Sequence, residues 1–309
     1  MEQPPDDWDI ILDETELNVG EISDRLDRAA ILCQRDPLRR GNVVHLPPAG
    51  DAVIVGDLHG DRENLERILK WACLHRHRDR YLILQELIHG GPDDGKGGDQ
   101  SFRLLEEAAS LKCRYKSQVH LLLSNHDLGE LMGATMTKAG RSVSEQFRKG
   151  IANVYDNRWL EVYEAYRRFL LALPIAARTA HGVFISHSTP KPGALAHFDY
   201  SIFNRPLTAE DFETGSSLYE LLWGRHHDQR SADRFAEGVG ARLFITGHES
   251  SIPGVKTPTS RHIVLTSDGP LGTVLLLALG AEAPHGVLTR QVKKIRSLKP
   301  SKPRRRRRM

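Results

Sequence analysis

The order of apolar and polar positions divides the chain into segments of different period. Between Glu14 and Leu32, the residues Leu17, Ile22, Leu26, Ala29, Ile31 and Leu32 recur among charges near the helical repeat. This spacing predicts an amphipathic N-terminal helix that Pro37 stops. Downstream, the continuous apolar runs Ala52–Val55, Tyr81–Leu84 and Val119–Leu123 alternate with helical stretches at 64–71 and 102–111. Short uninterrupted apolar strands separated by helices predict a buried parallel sheet joined by right-handed crossovers. Residues 143–173 read as helical, with Phe147, Tyr155, Trp159, Tyr163, Tyr166 and Phe169 spaced as core-packing aromatics. After Pro174, strands return at 176–180, 183–186, 242–246, 262–266 and 273–279, with one further helix at 216–223. Two crossovers, then helices, then mostly strands predict an α/β architecture of two sheets rather than one doubly wound sheet.

Composition narrows the class. With 309 residues, 39% hydrophobic and 27% charged, the chain lies in the globular range, which excludes fibrous and wholly disordered character. Its longest apolar stretch, around Thr273–Leu279, is far short of the ~20 residues of a membrane span. The first ten residues are acidic where a signal peptide would be basic and then apolar, so the chain reads as cytoplasmic. Cys33, Cys73 and Cys113 lack CxxC spacing, which supports neither a disulfide framework nor a cysteine zinc site. The net charge of +3 hides an asymmetry, because ten Lys and Arg and no acid lie between 291 and 309. The remainder carries seven more acids than bases. The run Arg304–Arg308 predicts a disordered basic tail, either merely solvated or attracting nucleic acid or another acidic partner weakly.

The chemistry-bearing residues fall at strand ends, where open α/β sheets place their ligands. Gly56-Asp57-Leu58-His59-Gly60 follows one run, Gln85-Glu86 the next, and Ser124-Asn125-His126-Asp127 the third. In the second half, His187 follows Val183–Ser186 and Gly247-His248-Glu249 follows Leu243–Thr246. Asp57, His59, Glu86, Asn125, His187 and His248 make a mixed nitrogen and oxygen donor set, suited to Mn, Fe or Zn rather than to Mg or Ca alone.

In this order the motifs resemble the calcineurin-like metallophosphoesterases, and within them the phosphoprotein phosphatases, which include Ser/Thr protein phosphatases and bacterial diadenosine polyphosphate hydrolases. The resemblance spans roughly 53–279. The family's GDxHG reads GDLHG and continues as DRENLERIL, GNHE reads SNHD, and a strand ending in His reads VFISHS. LYELLWG resembles the LLW segment, and ITGHESSIPGVK resembles the RGHE-containing one. The resemblance implies a two-sheet β-sandwich flanked by helices and a centre of two divalent transition metal ions. By it, Asp57 and His59 bind the first ion, Asn125, His187 and His248 the second, and Glu86 bridges them. A pair of ions ~3.5–4 Å apart can share a water as hydroxide near neutral pH and clamp an in-line displacement. His126 would give a proton to the leaving alkoxide. The implied division is an N-terminal helical extension at 1–48, the metallophosphoesterase domain at 49–290 and the basic tail at 291–309.

The second motif departs from the family's GDxVDRG. Gln85 to Gly91 puts Glu86 at the bridge, His89 where an Asp orients the acid histidine, and Gly90 where an Arg grips phosphate. Loss of that Arg removes a bidentate clamp. Arg225, His226, His227, Arg230 and Arg234 are candidates to replace it, with Arg225 foremost. Asp93 and Asp94 are either the new orienting carboxylates or plain turn residues. His75, His77 and His181 read as structural or surface positions, and TSDGPLGT lacks the aromatic of the family's corresponding loop. The expected function is metal-dependent hydrolysis of a phosphate monoester, on a phosphorylated protein or small molecule. The alternatives are a nucleotide anhydride such as a diadenosine polyphosphate as substrate, or a degenerate fold that binds without catalysis.

Overall fold

The computed structural model describes residues 18–138 and 140–299, so the arginine run 304–308 and the first residues of the predicted N-terminal helix lie outside the described residues. Helix α1 (Val19–Gln34) begins later than its apolar spacing implies because Asn18 caps it. The Asn18 side chain accepts from the Glu21 amide, and the Glu21 carboxylate accepts from the Asn18 amide. Strands β1 (Arg39–Arg40) and β2 (Val43–His45) follow, then β3 (Asp51–Asp57), α2 (Arg62–Ala72), β4 (Arg80–Gln85), α3 (Phe102–Tyr115), β5 (Val119–Leu122) and α4 (Asn125–Met132). A small hairpin, β6 (Thr137–Lys138) and β7 (Arg141–Ser142), leads into α5 (Val143–Tyr155) and α6 (Trp159–Leu171). The single helical stretch expected at 143–173 is therefore two helices. They part at Asp156, whose φ of 47° lies in the left-handed region that Asp tolerates.

The second half holds β8 (Ala176–Arg178), β9 (Val183–Ser186), α7 (Ser217–Trp223), α8 (Gln229–Val239), β10 (Leu243–Thr246), β11 (Val255–Thr259), β12 (His262–Leu265), β13 (Thr273–Ala278), α9 (His285–Gln291) and β14 (Lys293–Lys294). Two sheets result. One runs β14-β13-β3-β4-β5 with β3, β4 and β5 parallel, and the other runs β1-β2-β8-β9-β10-β12-β11 with β9, β10 and β12 parallel. Ile54, Ile83 and Leu122 share one core with Ile185, Ile245 and Ile263 of the other sheet. Their strand neighbours Val53, Val55, Leu82, Leu84 and Leu121 belong instead to the core packed with helical residues. Successive side chains of a strand point to opposite faces, so burial of both faces turns alternation into the continuous apolar runs of the sequence.

Two segments expected to stand apart are built in. Ile22, Leu26, Ala29, Ala30 and Cys33 of α1 join the helix-side core, and β2 pairs with β8. The basic tail placed at 291–309 is ordered through Lys299: β14 pairs with β13, and Ile295 is buried. The apolar Ile295 anchors this stretch despite its charged neighbours. No helix among the described residues is long and apolar enough to cross a membrane.

Asp36, just past α1, is tied to α3 by a buried ion pair. Lys112 Nζ lies 2.6 Å from Asp36 Oδ2 and also donates to the carbonyls of Lys116 and Val119, while His120 Nδ1 lies 3.7 Å from the same carboxylate. Burial, aided by the Lys112 charge, pushes His120 down to about 4. Burial alone would raise Asp36, but the His120 and Lys112 charges outweigh it and hold it below its usual range. Both groups bind fewer protons folded than unfolded, so their stabilisation is present at neutral pH and lost as pH falls. His120 acts between about 6.5 and 4, with a slope of up to about 1.4 kcal/mol per pH unit. Denaturant titrations across this window are expected to show a shallower decline for His120→Gln than for the unmodified chain. Identical slopes would contradict the assignment.

Candidate metal and phosphoester site

The parallel strands of both sheets end at one edge. Asp57 closes β3, Glu86 follows β4, Asn125 and His126 open α4 after β5, His187 follows β9, and His248 follows β10 by one residue. Asp57 stitches the sheets together here: its carbonyl accepts from the Ser267 amide at 3.0 Å, and its carboxylate oxygens accept from the His248 amide at 2.9 and 3.0 Å. A Cβ at Gly247 would stand 2.1 Å from Asp57 Oδ1, so only glycine admits this approach. Ser124 caps α4 through a reciprocal box with Asp127, and its hydroxyl also lies 3.1 Å from Glu86 Oε1. Four non-glycine residues around these strand ends have left-handed φ: His59 at 44°, Glu86 at 40°, His89 at 65° and His248 at 68°. Such conformations concentrate at functional sites and cost on the order of 1–3 kcal/mol each.

The donor atoms face one another in a way that protons alone do not satisfy. His187 Nε2 lies 2.6 Å from Asn125 Oδ1 and 3.2 Å from His248 Nδ1, which is itself 3.1 Å from Asn125 Oδ1. If both nitrogens donate to the amide oxygen, two N–H groups oppose each other; if either accepts, it opposes the oxygen. A cation at the centre would engage all three lone pairs. Nearby, the His59 Nδ1–H donates to the Ile88 carbonyl at 3.1 Å, so Nε2 turns its lone pair toward Asp57 Oδ2, 4.0 Å away. Glu86 is fully buried and lies 3.4 Å from His187 Nε2; burial, then the charges of Asp127 and Asp57, push its carboxyl well up. Burial holds both ligand-type histidines neutral, His248 at about 3 and His187 well below its ordinary value. These features fit divalent cations. The fit is not a finished cage, since among the described residues no group of three His, Cys, Asp or Glu is spaced to hold a metal ion.

His126 lines the same opening, a cavity of about 670 Å³ whose walls include Asp57, His59, Asn125, Trp223, Arg225, His226, His248, Glu249 and Lys256. A larger concavity of about 900 Å³, beside Trp71 and Arg290, contains none of the site residues. Among the proposed phosphate contacts, Arg225 and His226 reach the cavity. His227 is instead bonded to Thr189 Oγ1, and Arg230 and Arg234 are exposed on α8. Asp93 and Asp94 are turn residues, accepting from the amides of Gly95, Lys96 and Gly98. Behind His126 stands His89, with Nδ1 facing Nδ1 at 2.7 Å, and His89 Nε2 lies 3.0 Å from Glu130 Oε1. Sequence reasoning missed Glu130 and Lys256. Glu130 was within reach as the residue one helical turn after His126, whereas Lys256, ion-paired with Glu249, offered no such spacing.

Residues 52–251 match the family model described as calcineurin-like phosphoesterase, and the chain belongs to that family. That family is one of metal-dependent, generally dinuclear phosphoesterases. The chain is 26% identical over 248 residues to the "Probable serine/threonine-protein phosphatase" of Encephalitozoon cuniculi, covering 74% of this chain and 49% of that protein. The chain thus spans about half the length of that relative. The fold is shared with a protein serine/threonine phosphatase of Saccharomyces cerevisiae that is similar to human PP5, at a TM-score of 0.63 and 14% identity, covering 89% of this chain and 88% of that one. A cold-active protein-tyrosine phosphatase of Shewanella gives 0.59 at 15% identity, covering 81% and 80%. These likenesses show the two-sheet α/β sandwich with flanking helices.

If the donor triangle takes a cation, manganese or zinc is expected to raise the midpoint of thermal unfolding. A hundredfold excess over Kd is worth about 2.7 kcal/mol. His248→Ala is expected to lose most of this shift; an unmodified chain whose midpoint ignores both metals would contradict the fit.

Proposed function

We propose that the chain hydrolyses phosphate monoesters with two divalent transition metal ions, and that phospho-Ser or phospho-Thr in proteins is the substrate class. The unsatisfied triangle of Asn125, His187 and His248, of which Asn125 and His248 line the cavity beside His126 and Arg225, carries the proposal. Asp57 and His59 would hold one ion and Asn125, His187 and His248 the other, with Glu86 between them. Ions so placed supply Lewis acidity toward the phosphate and a water made nucleophilic at neutral pH. The chain supplies the rest. Arg225 puts positive charge on the wall of the cavity, which favours a dianionic phosphate and offsets the missing Arg at Gly90, while Lys256 stands on the same wall paired with Glu249. His126, protonated at Nε2, gives that proton to the leaving oxygen and is left with a lone pair there. Trp223, its ring 6.4 Å from that of His126, walls the site and limits water. The open cavity leaves room for a peptide. The likeness to the Encephalitozoon phosphatase supports the protein substrate, and a dinucleotide polyphosphate is the competing one.

The test compares kcat/KM for a phosphoserine peptide and a dinucleotide polyphosphate with manganese present. The peptide is expected to be preferred, and Asp57→Asn is expected to lose on the order of a hundredfold or more in rate together with its metal, at unchanged helix and strand content. Activity persisting in metal-free Asp57→Asn would overturn the proposal, and preference for the dinucleotide would overturn its substrate.

A further inference from the structure

The side chains behind His126 form a buried line that ends on a carboxylate. His89 and Glu130 are almost fully buried, at 1% and 0% exposure, although neither touches the cavity. Glu130 Oε1 faces His89 Nε2 at 3.0 Å, and its other oxygen accepts from the Tyr163 hydroxyl at 2.6 Å and from Arg148 Nε at 3.3 Å. Phe147 packs edge-on to the His89 ring, with centroids 5.1 Å apart, and fixes its plane. An ionised carboxylate only accepts, so the Glu130 contact places a proton on His89 Nε2. The 2.7 Å contact between the two Nδ1 atoms then holds one proton between His89 and His126. With Nδ1 engaged, the His126 ring can turn only its Nε2 toward the cavity.

We infer that Glu130 and His89 are positioning residues that hold His126 through its Nδ1 so that Nε2, the nitrogen that carries the transferable proton, is directed at the leaving group. The orienting carboxylate is thus displaced by one imidazole, from the position of His89 to a residue one helical turn beyond His126. The line is fixed by an aromatic wall and by two further donors to Glu130, so its orientation is enforced by packing as well as by hydrogen bonds. Its catalytic consequence rests on the hydrolytic reading above; its geometry does not.

The test has two arms. In the first, histidine-ring ¹⁵N spectra of the metal-free protein are expected to show His89 protonated at Nε2 and a coupling across the Nδ1···Nδ1 hydrogen bond to His126 that Glu130→Gln abolishes. A His89 without a proton at Nε2, or no coupling, would overturn the inference. In the second, kcat is measured on a phosphoserine peptide, whose alkoxide needs a proton, and on 4-nitrophenyl phosphate, whose leaving group does not. Glu130→Gln is expected to lower kcat about a hundredfold on the peptide and at most a few-fold on the aryl ester, with KM little changed. Equal losses on both esters, or a loss confined to KM, would reduce Glu130 to a structural residue and overturn its role. An unmodified chain that turns over neither ester sinks the hydrolytic reading, and the spectra then still decide the line itself.

Discussion

Asp57 is the point at which the two sheets are joined, and the geometry of the site depends on that junction. The sheets share an inter-sheet core of Ile54, Ile83, Ile185, Ile245 and Ile263, whose hydrophobic attraction is non-directional. The register comes from hydrogen bonds. The Asp57 carbonyl holds Ser267, its carboxylate holds the His248 amide, and the Gly56 amide donates to Ser267 Oγ at 2.7 Å. A Cβ at Gly56 would meet the Leu265 carbonyl at 2.1 Å, so the two chains touch with nothing between them. His248, on one sheet, is thereby brought against Asn125, on the other. His187, from the strand beside it, completes the set.

That convergence is costly in isolation. Carboxylates of Asp57, Glu86 and Asp127 are buried together, four non-glycine residues take left-handed backbone conformations, and three donor atoms meet without a consistent proton arrangement. Buried charge without compensation is among the largest penalties a fold can carry. Divalent cations would relieve the electrostatic and hydrogen-bonding parts of this at once, and the surrounding core supplies the rigidity that holds the strained backbone. The same buried packing extends behind His126, where Phe147, Tyr163 and Arg148 fix Glu130 and His89.

Much of the fold was legible because both faces of the central strands are buried, so that Ala52–Val55, Tyr81–Leu84 and Val119–Leu123 had to be continuous apolar runs. The strand-end positions of Asp57, Glu86, Asn125, His187 and His248 followed from the same pattern. What was not legible has definite causes. Helix α8 carries the helical period in Ala232, Phe235, Ala236 and Val239, but it lies in a charge-rich stretch that reads as loop. The basic segment after Gln291 looked wholly solvated because a single buried residue, Ile295, outweighs its charged neighbours only in three dimensions. The second motif looked degraded at His89 because the carboxylate that completes it comes from α4, through a contact no local spacing specifies.

Whether Glu86, one methylene longer than aspartate, spans two ions is the question on which the chemistry turns. Glu86 takes a left-handed φ of 40°, and its carboxylate lies 3.4 Å from His187 Nε2 and shares the Ser124 hydroxyl with Asp127. The most direct measurement is elemental analysis of the purified chain after reconstitution with manganese and removal of free metal. About two ions per chain are expected, as a carboxylate-bridged pair requires. A single ion, or none, would contradict the bridge and with it the dinuclear site.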